Sequence, residues 1–460
     1  MAHDPDVNLA IDAVPGRTLP RSANIASALM VLAGVVGAVY GFTSAEGGHP
    51  WTWGAILVAI VYTMGIAQGG VIFCVVLTGA WARWGRPLKR IGETLGYFLP
   101  FSYLALLVFL LLGLRLYPWH PETITPLIVD GAGNPVQMAL EPHSLEAISA
   151  KPWWLNKDFF VMRQVFGFAL LISLSFLYLR ASLKSDLVLA KARLQDQAPS
   201  WWEKITGGLS DPDEALAEGI RKQSKLFPFI CITYAFVFSM LGFDLLMSLS
   251  PWWFSNMFGT WIFMSSFWLG MASIGFIAMI GRDWLSLGEF VTPKVTHDLG
   301  MLLLAACMFW AYTTFAQILP IWYTDMPEET DFLLVRMYLP QWSWMSQLVA
   351  VMCFLGPFTI LLSRGIKKMR WPFAAICLLI MTGVFLERSL VVMPSVFFGP
   401  EFPVSDFLIV NVGILLGFLG VMVQVVGRML AMVPAVVVSD PYLASHPWDV
   451  HVHAAKNAAK

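Results

Sequence analysis

Ten stretches of mostly apolar residues run along the chain, at approximately 23–43, 52–82, 94–117, 159–180, 226–249, 257–281, 298–322, 342–364, 371–394 and 404–432. Each is long enough to cross a bilayer, which takes about 20 such residues in helical form. The pattern predicts an all-α polytopic membrane protein with about ten transmembrane helices. The second and last stretches are long enough to tilt or to extend beyond the bilayer.

The stretches also repeat. Asp244 lies in FDLLMSLSP and Glu387 in LERSLVVMP, each acid seven positions before a proline. Glu93-Thr94-Leu95-Gly96 and His297-Asp298-Leu299-Gly300 open the third and seventh helices, and the second and sixth end on Trp-Ala-Arg-Trp and Gly-Arg-Asp-Trp. Helices 2–5 and 6–9 therefore read as two parallel four-helix bundles flanked by helices 1 and 10. The expected division is an N-terminal tail (1–22), a first helix with its outer loop (23–51), the first bundle (52–249), the second bundle (250–394), the last helix (395–432) and a C-terminal tail (433–460).

Charge sets the orientation. Arg17, Arg21, the Arg83 to Arg90 cluster, the stretch from Arg180 to Lys225, Arg282, Lys294, Arg364 to Arg370, Arg428 and the C-terminal lysines fall on one side. The other side holds only Lys151, Lys157, Arg163 and Arg336. By the positive-inside bias both termini are expected to be cytoplasmic. The formal net charge of -1 hides this asymmetry and gives no support to nucleic-acid binding. The first twenty residues lack an apolar signal core, so the first helix is expected to act as its own insertion signal. The charged segment 181–225 reads as a solvated, partly helical connector, with Trp201-Trp202 at the headgroup level, and the outer loop 118–157 as a cap or a contact to another subunit.

A carboxylate in the hydrocarbon costs roughly 2.5–3.5 kcal/mol on insertion scales, and such residues are usually kept for ion or proton movement. Asp244 and Glu387 are the leading candidates, with Arg388 beside Glu387 and Arg115 in the half that holds Asp244. Two readings stand: ion pairs that fix helix register, or carboxylates that load and release protons. The duplication favours the second. Glu93, His297 and Asp298 sit where protons would be taken up from inside, although acids at helix starts are also favoured by the helix dipole. Gln68, Tyr97, Tyr103, Tyr234, Tyr312, Gln317, Asn411 and Gln424 add polar groups within the spans, mostly as interhelical contacts, and sequence does not rank them.

Other chemistries are disfavoured. All five cysteines lie singly inside spans, unlike the grouped cysteines of iron–sulfur motifs. The histidines sit in tails and loops, with only His297 touching a helix, so a bis-histidine haem within the bilayer is not expected. No metal ligands are assigned, and no quinone-binding residues can be named. Trp252-Trp253 and Trp322-Tyr323 read as an interfacial aromatic belt that could also form a rim for a quinone headgroup.

The segments HDLGMLLLAACMFWAYTTFAQILPIWYTDMPEET (297–330) and FDLLMSLSPWWFSNMFGTWIF (243–263) resemble the smaller of the two related integral subunits of alternative complex III, in the NrfD/polysulfide-reductase-like membrane family. The resemblance spans nearly the whole chain. It implies a bacterial inner-membrane subunit of a respiratory quinol:cytochrome c, or other periplasmic acceptor, oxidoreductase. On that pattern this chain binds no cofactor, the quinol is the substrate of the complex, and haem c and iron–sulfur clusters sit in partner subunits. The implied partners are a larger paralogous membrane subunit, an iron–sulfur protein, multihaem and monohaem cytochromes c, small membrane subunits and lipids. The positions that match the family pattern are Asp244, Glu387 and Arg388, with His297 and Asp298 beside them. Two alternatives are a quinone-reactive anchor of a polysulfide- or nitrite-reductase-type complex and a freestanding transporter. The ten spans and the WYTDMPEET loop disfavour the first, and the parallel repeats disfavour the second.

Overall fold

A computed structural model describes residues 7–44, 48–120, 151–209, 211–397, 401–440 and 443, with the side chains of residues 327 and 328 outside that description. Most of the expected outer loop lies outside it, as do His3, His143, His446, His451 and His453. Among the described residues there is no strand, and ten helices are long and apolar enough to cross a membrane. These are α1 (Arg21–Thr43), α2 (Gly48–Gly79), α3 (Arg86–Leu112), α4 (Lys157–Gln197), α5 (Pro212–Leu249), α6 (Phe258–Ile280), α7 (Pro293–Thr324), α8 (Pro340–Leu361), α9 (Arg370–Ser395) and α10 (Val404–Met432). The chain is a multi-pass helical membrane protein.

Neighbours follow chain order. α2 packs against α3 and α5, and α4 against α5; α6 packs against α7 and α9, and α7 and α9 against α8. The two groups meet where α2 crosses α6. Glycine makes that crossing possible: a Cβ at Gly69 would meet the Gly270 backbone at 3.1–3.2 Å. Backbones that touch this closely gain dispersion contacts without needing a hydrophobic drive, which lipid does not supply between helices. α1 lies along α10 through a similar contact of Gly34 with Gly417. α2, at the centre, is almost wholly covered by protein, whereas much of α1 faces outward.

The start of α1 and the end of α10 lie on one face of the molecule, where Arg17 Nη1 donates to the carbonyls of Leu430 and Val433 at 3.3 and 3.4 Å. We refer to this as the basic face. Several expectations change here. The segment 181–225 is not chiefly a connector, because α4 continues to Gln197 and α5 begins at Pro212. Asn156 caps the start of α4 and Asp211 that of α5 with side-chain oxygens. Trp202 is fully buried rather than at a headgroup level. Residues 433–438 are buried against the bundle instead of trailing from it. At the opposite face Trp253 is buried and stacked on Phe332 at 3.8 Å, so it belongs to the core, while Trp322 and Tyr323 are exposed as belt residues should be.

Candidate functional site: three buried charge clusters

Asp244 sits in a π-helical turn, Gly242–Leu246, near the opposite-face end of α5. Such turns insert one residue and re-aim the side chains that follow. Its carboxylate, fully buried, accepts from Arg163 Nε and Nη2 at 3.0 Å each and from Gln164 Nε2 at 2.7 Å. Arg163 and Gln164 are both on α4, so a bidentate pair ties α4 to α5. Arg163 also donates to the Trp154 carbonyl at 3.2 Å and lies over the Trp154 and Phe159 rings, at 4.0 and 4.4 Å from their centroids. Its side chain keeps 12% exposure, which brings one edge of this cluster to the surface of the chain. The partner in the first half is therefore Arg163 rather than Arg115, which lines a separate surface cavity with His49 and Trp53.

Glu387 and Arg388 form a pair between neighbours on α9. Glu387 accepts from Trp310 Nε1 of α7 at 2.7 Å, and Arg388 Nη2 donates to Ser265 Oγ of α6 at 2.6 Å and to the Ile262 carbonyl at 3.3 Å. Both side chains are sealed, at 1–2% exposure. Unlike Asp244, Glu387 lies on regular α-helix, Arg370–Val392.

The third cluster was not anticipated. Arg86, Lys89 and Arg90, read from sequence as loop cations, are buried on α3 and meet three acids. Arg86 pairs with Asp440 at 2.7 Å, Arg90 with Glu93 at 2.6 Å, and Arg90 also with Asp186 of α4. Lys89 lies 3.8 Å from Asp440 and 3.9 Å from Glu93, and donates to Gln223 of α5 at 3.0 Å. The Ser439 amide closes the network by donating to Asp186 at 2.9 Å. Three cations and three carboxylates thus bind α3, α4, α5 and the segment after α10 together. The signal that could have found them is the spacing 86, 89, 90, 93, which puts all four charges on one helical face.

Glu93 belongs to this buried network, whereas His297 and Asp298, its counterparts at the start of α7, are half-exposed and face each other at 3.4 Å. The structure brings Glu387 and Arg388 together, and His297 with Asp298; it does not bring Arg115 to Asp244.

Between Glu93 and Asp244 runs the inward face of α4: Gln164, Phe168, Leu171, Ser175, Tyr178 and Ser182, spaced by three or four and all buried. Ser182 donates to Glu93 Oε1 at 2.6 Å, the Tyr178 hydroxyl lies 2.6 Å from Thr78 Oγ1, and Gln68 Nε2 of α2 donates to Ser175 at 3.1 Å. Only Phe168 and Leu171 interrupt the row, over an axial gap of about 16 Å from Ser175 to Gln164 at 1.5 Å per residue. The corresponding face of α8 is Trp342, Met345, Val349, Cys353, Pro357 and Leu361, with no charged or hydroxyl side chain.

Of the remaining polar residues, Tyr103, Tyr234 and Gln424 bond across helices to the Val165 carbonyl, the Phe263 carbonyl and Ser27. Tyr312 faces outward, and the buried Asn411 amide has no hydrogen-bond partner among the described residues. Between these groups Arg336, just before α8, is buried with carbonyls of Phe332 and Val391 and the Ser395 hydroxyl as its acceptors. Burial pulls its pKa down to about 9, still high enough to keep the charge at neutral pH. Among the described residues no three His, Cys, Asp or Glu side chains converge as a metal-ligand set would.

The chain matches no protein-family model and no curated protein.

Proposed function

We propose that this chain is an integral, cofactor-free subunit of a respiratory quinol oxidoreductase complex, in which α2–α5 carry protons and α6–α9 serve as scaffold. The observation that carries the reading is the buried polar face of α4, which extends from the Glu93 network toward Asp244 and stops at two apolar residues. A buried carboxylate is expensive in lipid and tends to be kept where charge must move. Asp244 lies behind Arg163, which reaches the surface of the chain, and Glu93 meets a hydroxyl row, so each end of the route has a group able to hold a proton. Phe168 and Leu171 then act as a dry barrier, crossed when transient water links Ser175 to Gln164. The likeness of 243–263 and 297–330 to the smaller alternative complex III subunit supplies the oxidoreductase context, with electrons carried by partner haems and iron–sulfur clusters. On this reading the basic face is cytoplasmic, as the distribution of Lys and Arg implies.

Purification from mild-detergent membranes, with mass spectrometry and a haem stain, tests the context. Multihaem cytochrome, iron–sulfur protein and a larger paralogous membrane subunit should come with the chain. Recovery as a lone, colourless protein would contradict the reading and favour a transporter.

A second reading has one observation in its favour. An apolar cavity of about 480 Å³ between α8, α9 and α10, lined by Trp344, Phe402 and Phe407 with Gln341 and Glu401 at its edge, has the character of a quinone-ring site. Photolabelling of these residues by a quinone analogue, with loss of label in Glu401→Gln, would support a quinone-reactive anchor instead.

A further inference from the structure

The seam between α4 and α5 on the basic face takes no part in the buried networks, yet it encloses about 490 Å³. Arg180 and Lys184 line it from α4, and Glu218, Lys222 and Lys225 from α5. Glu218 holds Lys184 of α4 at 2.9 Å across the seam and Lys222, one turn along its own helix, at 2.6 Å. Arg180 and Lys225 have no hydrogen-bond or ion-pair partner among the described residues. Four cations therefore face one carboxylate. The floor is closed where Gly219 approaches the Ala181 carbonyl, which an added Cβ would meet at 3.0 Å.

Directly below the cations the same two faces become apolar and outward-facing: Leu177 and Leu170 on α4, Phe229, Ile232 and Phe236 on α5, each more than half exposed. Cations above an apolar wall on a membrane helix suit a ligand that is anionic at one end and hydrocarbon at the other. We propose that this seam is a binding site for an anionic phospholipid, with its phosphate between Arg180, Lys222 and Lys225 and its acyl chains along Leu177, Phe229 and Ile232. The proposal rests on the membrane fold alone and does not depend on the oxidoreductase reading.

The test uses the intact complex, or the chain as it purifies, delipidated in mild detergent and titrated with phosphatidylglycerol while thermal unfolding is followed. Native mass spectrometry counts the lipid retained. Phosphatidylglycerol should protect and phosphatidylcholine should not. Each lost cation should weaken the midpoint about fivefold, so Arg180→Gln with Lys225→Gln shifts it about 25-fold. Lys294→Gln, a change to an exposed lysine elsewhere, and Arg180→Lys should leave it near the starting value. An unchanged midpoint in the double variant would overturn the proposal. So would equal protection by inorganic phosphate alone, the mark of a simple anion site, or lysine crosslinks from the seam to an acidic segment of a partner protein with no lipid retained.

Discussion

The two halves of the molecule hold the same kind of residue at matching places and surround it differently. Asp244 is buried in a π-turn of α5 and bound from α4 by Gln164 and by Arg163, whose own side chain keeps 12% exposure. Glu387 is bound by its sequence neighbour Arg388, roofed by Trp310 and sealed. At the other end Glu93 lies inside a six-charge network, whereas His297 and Asp298 stand half-exposed. Between the ends, α4 presents hydroxyl and amide groups and α8 presents Trp, Met, Val and Cys. A duplicated acid therefore does not imply a duplicated device. On the proposed function, what lets a buried carboxylate exchange a proton is a row of polar groups leading to it; among the described residues the inward face of α4 carries such groups and that of α8 does not.

The sharpest way to break this contrast is through the arginines. Arg388→Leu removes the guanidinium that pairs with the sealed Glu387 and should cost about 3–5 kcal/mol, read as thermal unfolding in detergent or as loss of assembled protein. Arg163→Leu should cost about half as much, because Gln164 remains and the site is not fully dry. Equal losses would mean that the two acids share one environment. The glycine crossing that joins the halves comes next: Gly270→Val pushes a side chain into the Gly69 backbone and should cost about 1–3 kcal/mol by the same assay.

Within α4, Ser175→Val removes the hydrogen bonding to Gln68 and Tyr178→Phe removes the contacts to Thr78 and the Cys74 carbonyl, each such bond worth only about 0.6 kcal/mol in a membrane bundle. Both should nevertheless slow proton exchange at Asp244, followed by infrared spectroscopy of its carboxyl band after a pH jump. Cys353→Ser in α8 should change neither band nor rate, and an effect there as large as in α4 would erase the distinction between the halves. The smallest effect is expected on the basic face, where Arg193 pairs with Asp12 at 2.6 Å. That hydrogen-bonded cation holds the Asp12 carboxyl below its usual range. A lowered folded-state value means that the pair stabilises above the ordinary aspartate range and is lost as pH falls through the folded value. A small decrease in melting temperature on acidification, absent from Asp12→Asn, is the expected outcome, and because the pair is exposed added salt should also suppress it.

Much of this was legible in the sequence. The ten spans follow from apolar run length, and Glu387 with Arg388 from adjacency. Helix ends are not, because charge alone does not mark water: Asp186, Arg86, Lys89 and Arg90 read as loop residues yet are buried, Arg90 and Asp186 paired between α3 and α4, and Arg86 and Lys89 facing Asp440 in the segment after α10. Arg163 reads only as an outer-side cation because nothing in local spacing links position 163 to 244. That link is tertiary, made when α4 lies along α5. The polar face of α4 could have been read from the spacing 164, 168, 171, 175, 178, 182 alone, but its meaning depends on Gln68, Thr78 and Glu93 arriving from α2 and α3.

Proton release per electron, measured on the purified complex in liposomes for Asp244→Asn and for Glu387→Gln, puts the asymmetry to the most direct trial. The account predicts a lower ratio in Asp244→Asn and an unchanged one in Glu387→Gln, with both variants assembled. An unchanged ratio in Asp244→Asn, or a loss confined to Glu387→Gln, would contradict it.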